Sequence, residues 1–100
     1  MTTLTLSDIL DDLRAAEEGL HKFERRYWIS SEQFYQLYTQ GALDDGLHAA
    51  DFAEWAGHYR LRQKRQTALE QLSRQRLASL LQADPTALHL LPAEPALELA

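Results

Sequence analysis

The segment that decides the fold is the aromatic stretch YWISSEQFYQLY at residues 27–38, together with DFAEWAGHY at residues 51–59. All nine aromatic residues of the 100-residue chain lie between Phe23 and Tyr59, and none follows. Aromatic side chains bury large apolar areas and dominate the energetics of cores and interfaces. This window is therefore expected to contain the structural core, a partner surface, or both.

The segment from Thr5 to Tyr27, which runs into the start of this window, predicts a long amphipathic helix. Thr5 or Ser7 is suited to cap its N-terminus, and acidic residues occupy its first turns, where the helix dipole favours negative charge. Gly19 weakens this helix and is a candidate point for the close approach of another helix. Apolar residues recur at alternating steps of four and three, the heptad spacing that favours a helical partner along the whole length: Ile9, Leu13, Ala16, Leu20, Phe23 and Tyr27.

Two further helices are predicted. A short one starts at Ser30 or Ser31, with Ser30 and Gln33 matching a capping box, and Gly41 is placed to end it as a left-handed cap. The third and longest helix is expected to begin at residue 47 or 48 and to end near residue 81. Its apolar stripe almost vanishes at residues 60–66, so this turn is expected to face solvent or a partner.

After Ala83 the chain changes character, because three prolines forbid a continuous helix while leucines remain frequent. The chain contains no alternating, β-branched stretch that predicts a strand. We therefore expect an all-α fold in which residues 1–82 form one small helical domain with two long antiparallel helices and a short bracing helix. Residues 83–100 are expected to form a flexible, proline-containing tail that is disordered or docks on a partner.

Composition excludes several classes of site. The absence of cysteine excludes disulfides, thiolate metal sites and a cysteine nucleophile. The N-terminus lacks the basic start and apolar core of a secretion signal, and no apolar run approaches membrane-spanning length. The sequence therefore predicts a soluble, cytoplasmic protein that does not bind a membrane.

The net charge of −5 conceals a segregation of charge along the chain. Residues 1–54 hold eleven acidic residues against four Lys or Arg, whereas residues 55–82 hold six Lys or Arg against one acid. Such segregation suggests that the two halves attract each other or that each faces a different partner. We favour two antiparallel helices that pack with complementary faces.

The sequence offers no convincing constellation for catalysis or metal binding. Glu18 and His21 match one quarter of the carboxylate–histidine pattern of di-iron bundles, and the second such pair is missing. Asp51, Glu54 and His58 share a helix face, but acid-rich helix surfaces generate such triplets freely. The sequence contains neither a nucleophile elbow nor a phosphate-binding glycine loop. We therefore expect no enzyme activity, no cofactor and no metal.

The best candidates for nucleic-acid contact are the basic residues of the third helix, Arg60, Arg62, Lys64 and Arg65. Their charge is spread around the helix, the whole chain is acidic, and no aromatic residues are interleaved with them. Nucleic-acid binding is therefore the weaker alternative. Pairing of these cations with the acidic first helix, or with an acidic partner, is favoured.

The aromatic residues divide into two groups by helical position. Three of them, Trp28, Tyr35 and Tyr38, exceed what one small core is expected to bury. Tyr and Trp are enriched at interface hot spots, so these three are the candidate surface for a dimer or a partner protein. The other six are assigned to the core of a three-helix fold: Phe23, Tyr27, Phe34, Phe52, Trp55 and Tyr59.

The aromatic window also resembles a known group of proteins. The order Tyr-x-Ile-Ser-Ser-Glu-x-Phe-Tyr, Gly-x-Leu-x-Asp, Asp-Phe-x-Glu-Trp and a further Tyr, all within residues 27–59, is similar to that of small prokaryotic helical proteins of uncharacterised type. Some of those are classed as antitoxins of toxin–antitoxin pairs. This chain departs from the pattern at Asp44, where a glycine is expected, and in a longer connection to Asp51. The resemblance implies an acidic helical protein that sequesters a toxin by covering its surface.

The leading hypothesis is a non-enzymatic protein-interaction module of antitoxin type that forms a homodimer and binds a protein partner, a toxin in this interpretation. One rival is a self-assembling helical scaffold protein without a toxin. The other is a weak nucleic-acid-binding regulator that uses the basic residues of the third helix.

Overall fold

The computed structural model describes residues 4–83 and, beyond them, residues 86, 88, 90, 92, 98 and 99. Three helices dominate this part of the chain: α1 (Leu6–Tyr27), α2 (Ser31–Thr39) and α3 (Ala49–Ala83). The two long helices pack antiparallel, because residues near the end of α1 contact the start of α3 and residues near the start of α1 contact its middle. The predicted all-α fold is confirmed.

A short strand pair accompanies the helices. β1 (Leu4–Thr5) and β2 (Glu98–Leu99) pair antiparallel, with Leu4 opposite Leu99. The expectation of a chain without strands misses this pair, because two residues are too few to show an alternating pattern. The prediction of a flexible or partner-docking tail concerns residues 83–100, most of which lie outside the described residues.

The ends of α1 follow local capping rules. Of the two predicted N-caps, Thr5 is the one used: its Oγ1 accepts a hydrogen bond from the Asp8 N–H at 3.1 Å, and Asp8 Oδ2 accepts from the Thr5 N–H at 3.2 Å. This reciprocal capping box satisfies two backbone donors at the helix start. At the other end, Trp28 is the C-cap and adopts the left-handed conformation with φ of 63°.

The predicted limits of α2 are also found. Ser30 Oγ accepts from the Gln33 N–H at 3.1 Å, although no return bond from the Gln33 side chain is seen among the described residues, so the capping box is half formed. Gly41, with φ of 73°, ends the helix. The Gly41 N–H donates to the Tyr38 carbonyl at 3.1 Å and the Ala42 N–H to the Leu37 carbonyl at 3.0 Å. This is a Schellman motif, which needs a residue that tolerates positive φ.

The loop before α3 is organised by Asp45. Its Oδ1 accepts from the backbone N–H groups of Leu47 and His48 at 2.9 and 3.0 Å, and its Oδ2 lies 2.8 Å from His48 Nδ1. The hydrogen bond with His48, followed by those from the two backbone N–H groups, lowers the pKa of the Asp45 carboxyl to about 2. The carboxylate thus holds the chain in the turn from which α3 starts.

The core consists of two clusters. The aromatic cluster lies where α2 packs against both long helices, and its centre is a close stack of Phe34 on Trp55 with ring centroids 3.8 Å apart. The aliphatic cluster lies at the start of α1 and consists of Ile9, Ala68 and Leu72 with surrounding leucines. The six core rings predicted from sequence all belong to the aromatic cluster, four of them buried and two, Tyr27 and Tyr59, partly buried.

Polar contacts separate the two clusters. Arg65 Nε of α3 donates to Asp12 Oδ2 of α1 at 2.6 Å. Nearer the aromatic cluster, the His58 imidazole lies so close to Gly19 that a Cβ atom at position 19 would be 2.5 Å from the ring. The predicted close approach at Gly19 is therefore confirmed, and the group that requires it is a side chain of α3.

The molecule is elongated, with a radius of gyration of 18.0 Å and principal extents of 57 × 27 × 24 Å. A compact domain of this length has a radius of gyration of about 13 Å. The difference arises because α3 has 35 residues and α1 has 22, so the last turns of α3 extend past the start of α1. Among the described helices, none contains an apolar stretch long enough to span a bilayer.

Candidate protein-binding surface

Trp28 is the most exposed large apolar side chain in the described part of the molecule. It is 90% exposed at the corner between α1 and α2. Its backbone is left-handed, a conformation that costs a bulky residue about 1 kcal/mol or more. Its N–H donates to the Glu24 carbonyl at 2.8 Å and so closes the last turn of α1. The corner therefore displays an indole that contributes little to the core.

Both neighbours of Trp28 are anchored in the molecule. Tyr27 packs in the aromatic cluster, and its hydroxyl donates to Asp51 Oδ2 at 2.6 Å. This hydrogen bond, together with burial and the negative charge of Asp51, raises the pKa of Tyr27. Arg26 lies 3.3 Å from the same carboxylate, and Ile29 packs against the aromatic cluster. The backbone that carries the indole is thus fixed from both sides.

A buried polar relay around Ser31 fixes the corner further. Trp55 Nε1 donates to Ser31 Oγ at 2.9 Å, and Ser31 Oγ donates to Glu24 Oε2 at 2.7 Å. The Ser31 N–H donates to the same Glu24 oxygen at 3.1 Å, and His21 Nδ1 lies 2.8 Å from the other oxygen. Burial raises the pKa of Glu24, but the hydrogen bonds with His21 and Ser31 outweigh it, so the net shift is downward.

The sequence pattern assigns Ser31 only to capping, and the relay is a finding of the structure. One chemical requirement points to this relay. A fully buried indole needs an acceptor for its N–H, and Ser31 lies in the helix that packs on Trp55. Sequence spacing alone does not show which hydroxyl provides it.

Tyr35 and Tyr38 differ from Trp28. Both are half-buried and pack against the aromatic cluster. The Tyr35 ring stacks on Tyr59 with centroids 4.4 Å apart, and the Tyr38 ring lies 5.5 Å from Phe34. The expectation that all three rings lie outside the core is therefore right for Trp28 and wrong for these two tyrosines, because partly buried rings at the cluster edge offer faces to stack on. Their part in partner binding stays a prediction.

The basic residues of α3 are mostly engaged within the molecule. Arg65 pairs with Asp12, as the charge segregation predicts, and Arg62 pairs with Glu32 of α2 at 2.6 Å. The hydrogen bond with Arg62 lowers the pKa of Glu32. Arg62 also lies over the Tyr59 ring, with its guanidinium carbon 5.0 Å from the ring centroid.

The remaining two basic residues differ from each other. Arg60 Nε donates to the Tyr35 hydroxyl at 3.2 Å, whereas Lys64 is exposed and has no partner within the part of the chain that the structure describes. Three of the four candidate nucleic-acid contacts are thus committed to contacts inside the protein. A phosphate-binding surface needs its cations available, so this arrangement disfavours that role.

Two further features lie at the end of the molecule where α1 ends and α3 begins. Leu47, in the loop before α3, is exposed. A cavity of about 190 Å³ opens between α2, the loop and α3, and is lined by Tyr38, Gly41, Leu43, Asp44, Ala49 and Phe52. It is smaller than typical small-molecule sites, which measure about 300–1,000 Å³. We call Trp28, Leu47 and this cavity the aromatic-end surface.

The described residues contain no group of three or more His, Cys, Asp or Glu side chains placed to hold a metal ion. No protein-family model matches the chain, and comparisons with curated proteins and with solved structures gave no match. Among the described residues, the aromatic-end surface carries the most exposed large apolar side chain, Trp28.

Proposed function

We propose that this protein is a non-enzymatic protein-interaction module that binds a partner protein through the aromatic-end surface, and that the partner is a toxin neutralised when this surface covers it. The observation that carries the proposal is the exposed, left-handed Trp28. The antitoxin form of the proposal comes from the resemblance of residues 27–59 to small helical proteins of which some are so classed.

The backbone around Trp28 is held in place before any partner binds. A Trp is among the side chains most enriched at interface hot spots, where it fills a pocket on the partner. The side chains around Trp28 already fix its backbone through Tyr27, Ile29 and the Ser31 relay. Little backbone entropy is therefore lost when the indole docks, and binding retains more of the energy gained from burial.

Charge indicates the chemistry of the partner. The chain carries a net charge of −5. On α1, Asp12 and Glu24 are used in contacts inside the protein, whereas Glu17 and Glu18 are exposed and have no partner among the described residues. These free carboxylates favour a basic partner surface and speed its association.

The test is co-purification with the product of the neighbouring co-directional gene. Trp28→Ala should weaken this binding by about 30-fold or more, in the range of a hot-spot residue. Leu10→Ala serves as the matched control, because Leu10 is an exposed apolar side chain in the first half of α1, and it should bind as the unaltered protein does.

Three outcomes decide between the proposal and its rivals. Equal binding by the Trp28→Ala variant and the unaltered protein rejects Trp28 as the anchor. Absence of co-purification, together with unimpaired toxicity of the neighbour in co-expressing cells, rejects the antitoxin function. Salt-dependent retention of DNA or RNA that is lost after charge reversal of Lys64 would support the nucleic-acid alternative instead.

A further inference from the structure

The cavity of the aromatic-end surface has two aromatic walls that the core holds in place. Tyr38 of α2 and Phe52 of α3 supply the rings. Phe52 is buried and Tyr38 is half-buried, and their ring centroids lie 5.8 and 5.5 Å from that of Phe34 in the aromatic cluster. The remaining apolar part of the lining is formed by Gly41, Leu43 and Ala49.

Asp44 brings a negative charge to this lining. Its side chain is exposed and forms no hydrogen bond or ion pair within the part of the chain that the structure describes. The adjacent Asp45 differs, because His48 and two backbone N–H groups of the turn occupy its carboxylate. The Asp44 carboxylate is therefore available to a group that enters the cavity.

The surrounding charges single out Asp44. Residues 27–59 contain five acidic residues and no Lys or Arg. The other four acids each contact a basic side chain: Glu32 with Arg62, Asp45 with His48, Asp51 with Arg26 and Glu54 with Lys22. Arg60, the cation next to Tyr38, donates to the Tyr35 hydroxyl. A cation from outside the chain would therefore complement the uncompensated charge of Asp44.

The volume of the cavity indicates the size of its occupant. It measures about 190 Å³. An apolar protein cavity of about 150 Å³ holds one benzene molecule, so this cavity has room for about six to eight non-hydrogen atoms. That is the size of one long side chain. The cavity therefore suits a single side chain projecting from a partner protein.

We propose that the cavity binds an arginine side chain of the partner protein, with the guanidinium against the rings of Tyr38 and Phe52 and paired with Asp44. A guanidinium is planar, stacks on aromatic rings and donates two N–H groups to one carboxylate. This inference rests on the proposed function and names the partner group that the surface recognises.

Other occupants satisfy the lining less well. A partner that covers the cavity also removes water from Asp44, so an apolar side chain would leave a desolvated carboxylate without a partner. A lysine ammonium compensates the charge, but it is strongly hydrated and lacks the planar shape that fits between rings and carboxylate. Arginine meets the apolar, aromatic and charged parts of the lining together.

The experiment titrates small probes into the isotope-labelled full-length chain and follows its amide NMR spectrum. The arginine probe, N-acetyl-arginine methylamide, should shift amides of residues 38–44 and 49–52 with a Kd of about 1–10 mM. The isosteric neutral probe, N-acetyl-citrulline methylamide, should bind about 10-fold more weakly, because its side chain carries no charge. The corresponding lysine probe should bind about 3-fold more weakly or less.

Substitutions locate the site of the arginine probe. Asp44→Asn should weaken its binding by about 10-fold. Asp11→Asn is the matched control, because Asp11 is an exposed carboxylate in the first half of α1, and it should leave the Kd unchanged. Ala49→Leu should abolish binding, because the larger side chain fills the cavity. The amide spectra of the three variants also verify that each remains folded.

Several results would overturn the arginine site. They are equal affinity for the arginine and citrulline probes, equal or tighter binding of the lysine probe, binding that survives Ala49→Leu, and an equal loss in Asp44→Asn and Asp11→Asn. Failure of the proposed function gives a different result. Preferential binding of the arginine probe without co-purification of the neighbouring gene product would reject the antitoxin function and support the site. Co-purification without preference for the arginine probe would reject the site alone.

Discussion

At the residue scale, the two glycines inside long helices have opposite surroundings. Gly57 faces open space, whereas a Cβ at Gly19 would meet the His58 ring at 2.5 Å. Gly57→Ala should raise the free energy of unfolding by about 0.5–1 kcal/mol, because alanine favours the helix. Gly19→Ala should instead lower it by about 1 kcal/mol, because displacement of the imidazole costs more than helix propensity gains. Urea denaturation of both variants measures the difference.

Removal of the His58 side chain provides the control for Gly19→Ala. In the double variant Gly19→Ala/His58→Ala the ring is absent, so the alanine at position 19 should recover most of the helix-propensity gain relative to His58→Ala alone. Equal stabilisation by Gly19→Ala and Gly57→Ala in the unaltered background would show that the close approach does not exist.

The lowered pKa of the Asp45 carboxyl predicts part of the acid sensitivity of the fold. Its pKa is about 2 in the folded protein, below its ordinary value of 3.8. A lowered carboxyl pKa contributes stability that is fully present above the ordinary value and is lost as pH falls towards the folded value. The free energy of unfolding should therefore fall from pH 4 to pH 2 more steeply in the unaltered protein than in Asp45→Asn. Parallel pH profiles would contradict this assignment.

At the scale of elements, the pairing of α1 with α3 includes one well-formed ion pair between the two core clusters. Arg65 and Asp12 are in contact at 2.6 Å, and both side chains are partly shielded from solvent. A double-mutant cycle with Arg65→Ala and Asp12→Ala should give a coupling energy of about 0.5–1 kcal/mol. Urea denaturation of the two single variants and the double variant measures it.

The exposed pair Arg74–Glu70 is the control for this cycle. Its atoms are 3.6 Å apart and both side chains lie in solvent, so its coupling should be about 0.5 kcal/mol or less. A coupling for Arg65–Asp12 no larger than this value would mean that the ion pair does not help to align the two helices.

Much of the helical architecture was predictable because its signals are local. Helix ends are marked by hydrogen bonds to residues three to five positions away, at Thr5, Ser30 and Gly41. Heptad spacing predicts that α1 packs along its whole length against another helix. The β1–β2 pair and the division of the core into two clusters depend on residues far apart in the chain. Such contacts follow from tertiary packing, which periodicity does not encode.

The candidate surface was predictable only in part. The exposure of Trp28 was expected, since one small core cannot bury nine aromatic residues. The stacking of Tyr35 on Tyr59 was not, because helical position does not determine how neighbouring helices rotate against each other. The Ser31 relay was missed for the same reason: its members come from three helices and meet only after packing.

At the scale of the whole molecule, the two core clusters predict a gradient of stability. The aromatic cluster contains fully buried rings from all three helices, whereas the aliphatic cluster has fewer and smaller buried side chains. Amides of α1 residues 20–24 should therefore exchange with solvent more slowly than those of residues 9–13. Native-state hydrogen exchange measures both segments in one experiment, and uniform protection along α1 would contradict the gradient.

The elongated shape has a consequence for valency. Trp28 lies at the end of α1, whereas the last turns of α3 lie towards the other end of a molecule 57 Å long. A small partner docked on the indole would therefore leave the last turns of α3 uncovered. If a second contact formed there with the same larger assembly, the effective concentration of the second site would give an avidity that neither contact has alone.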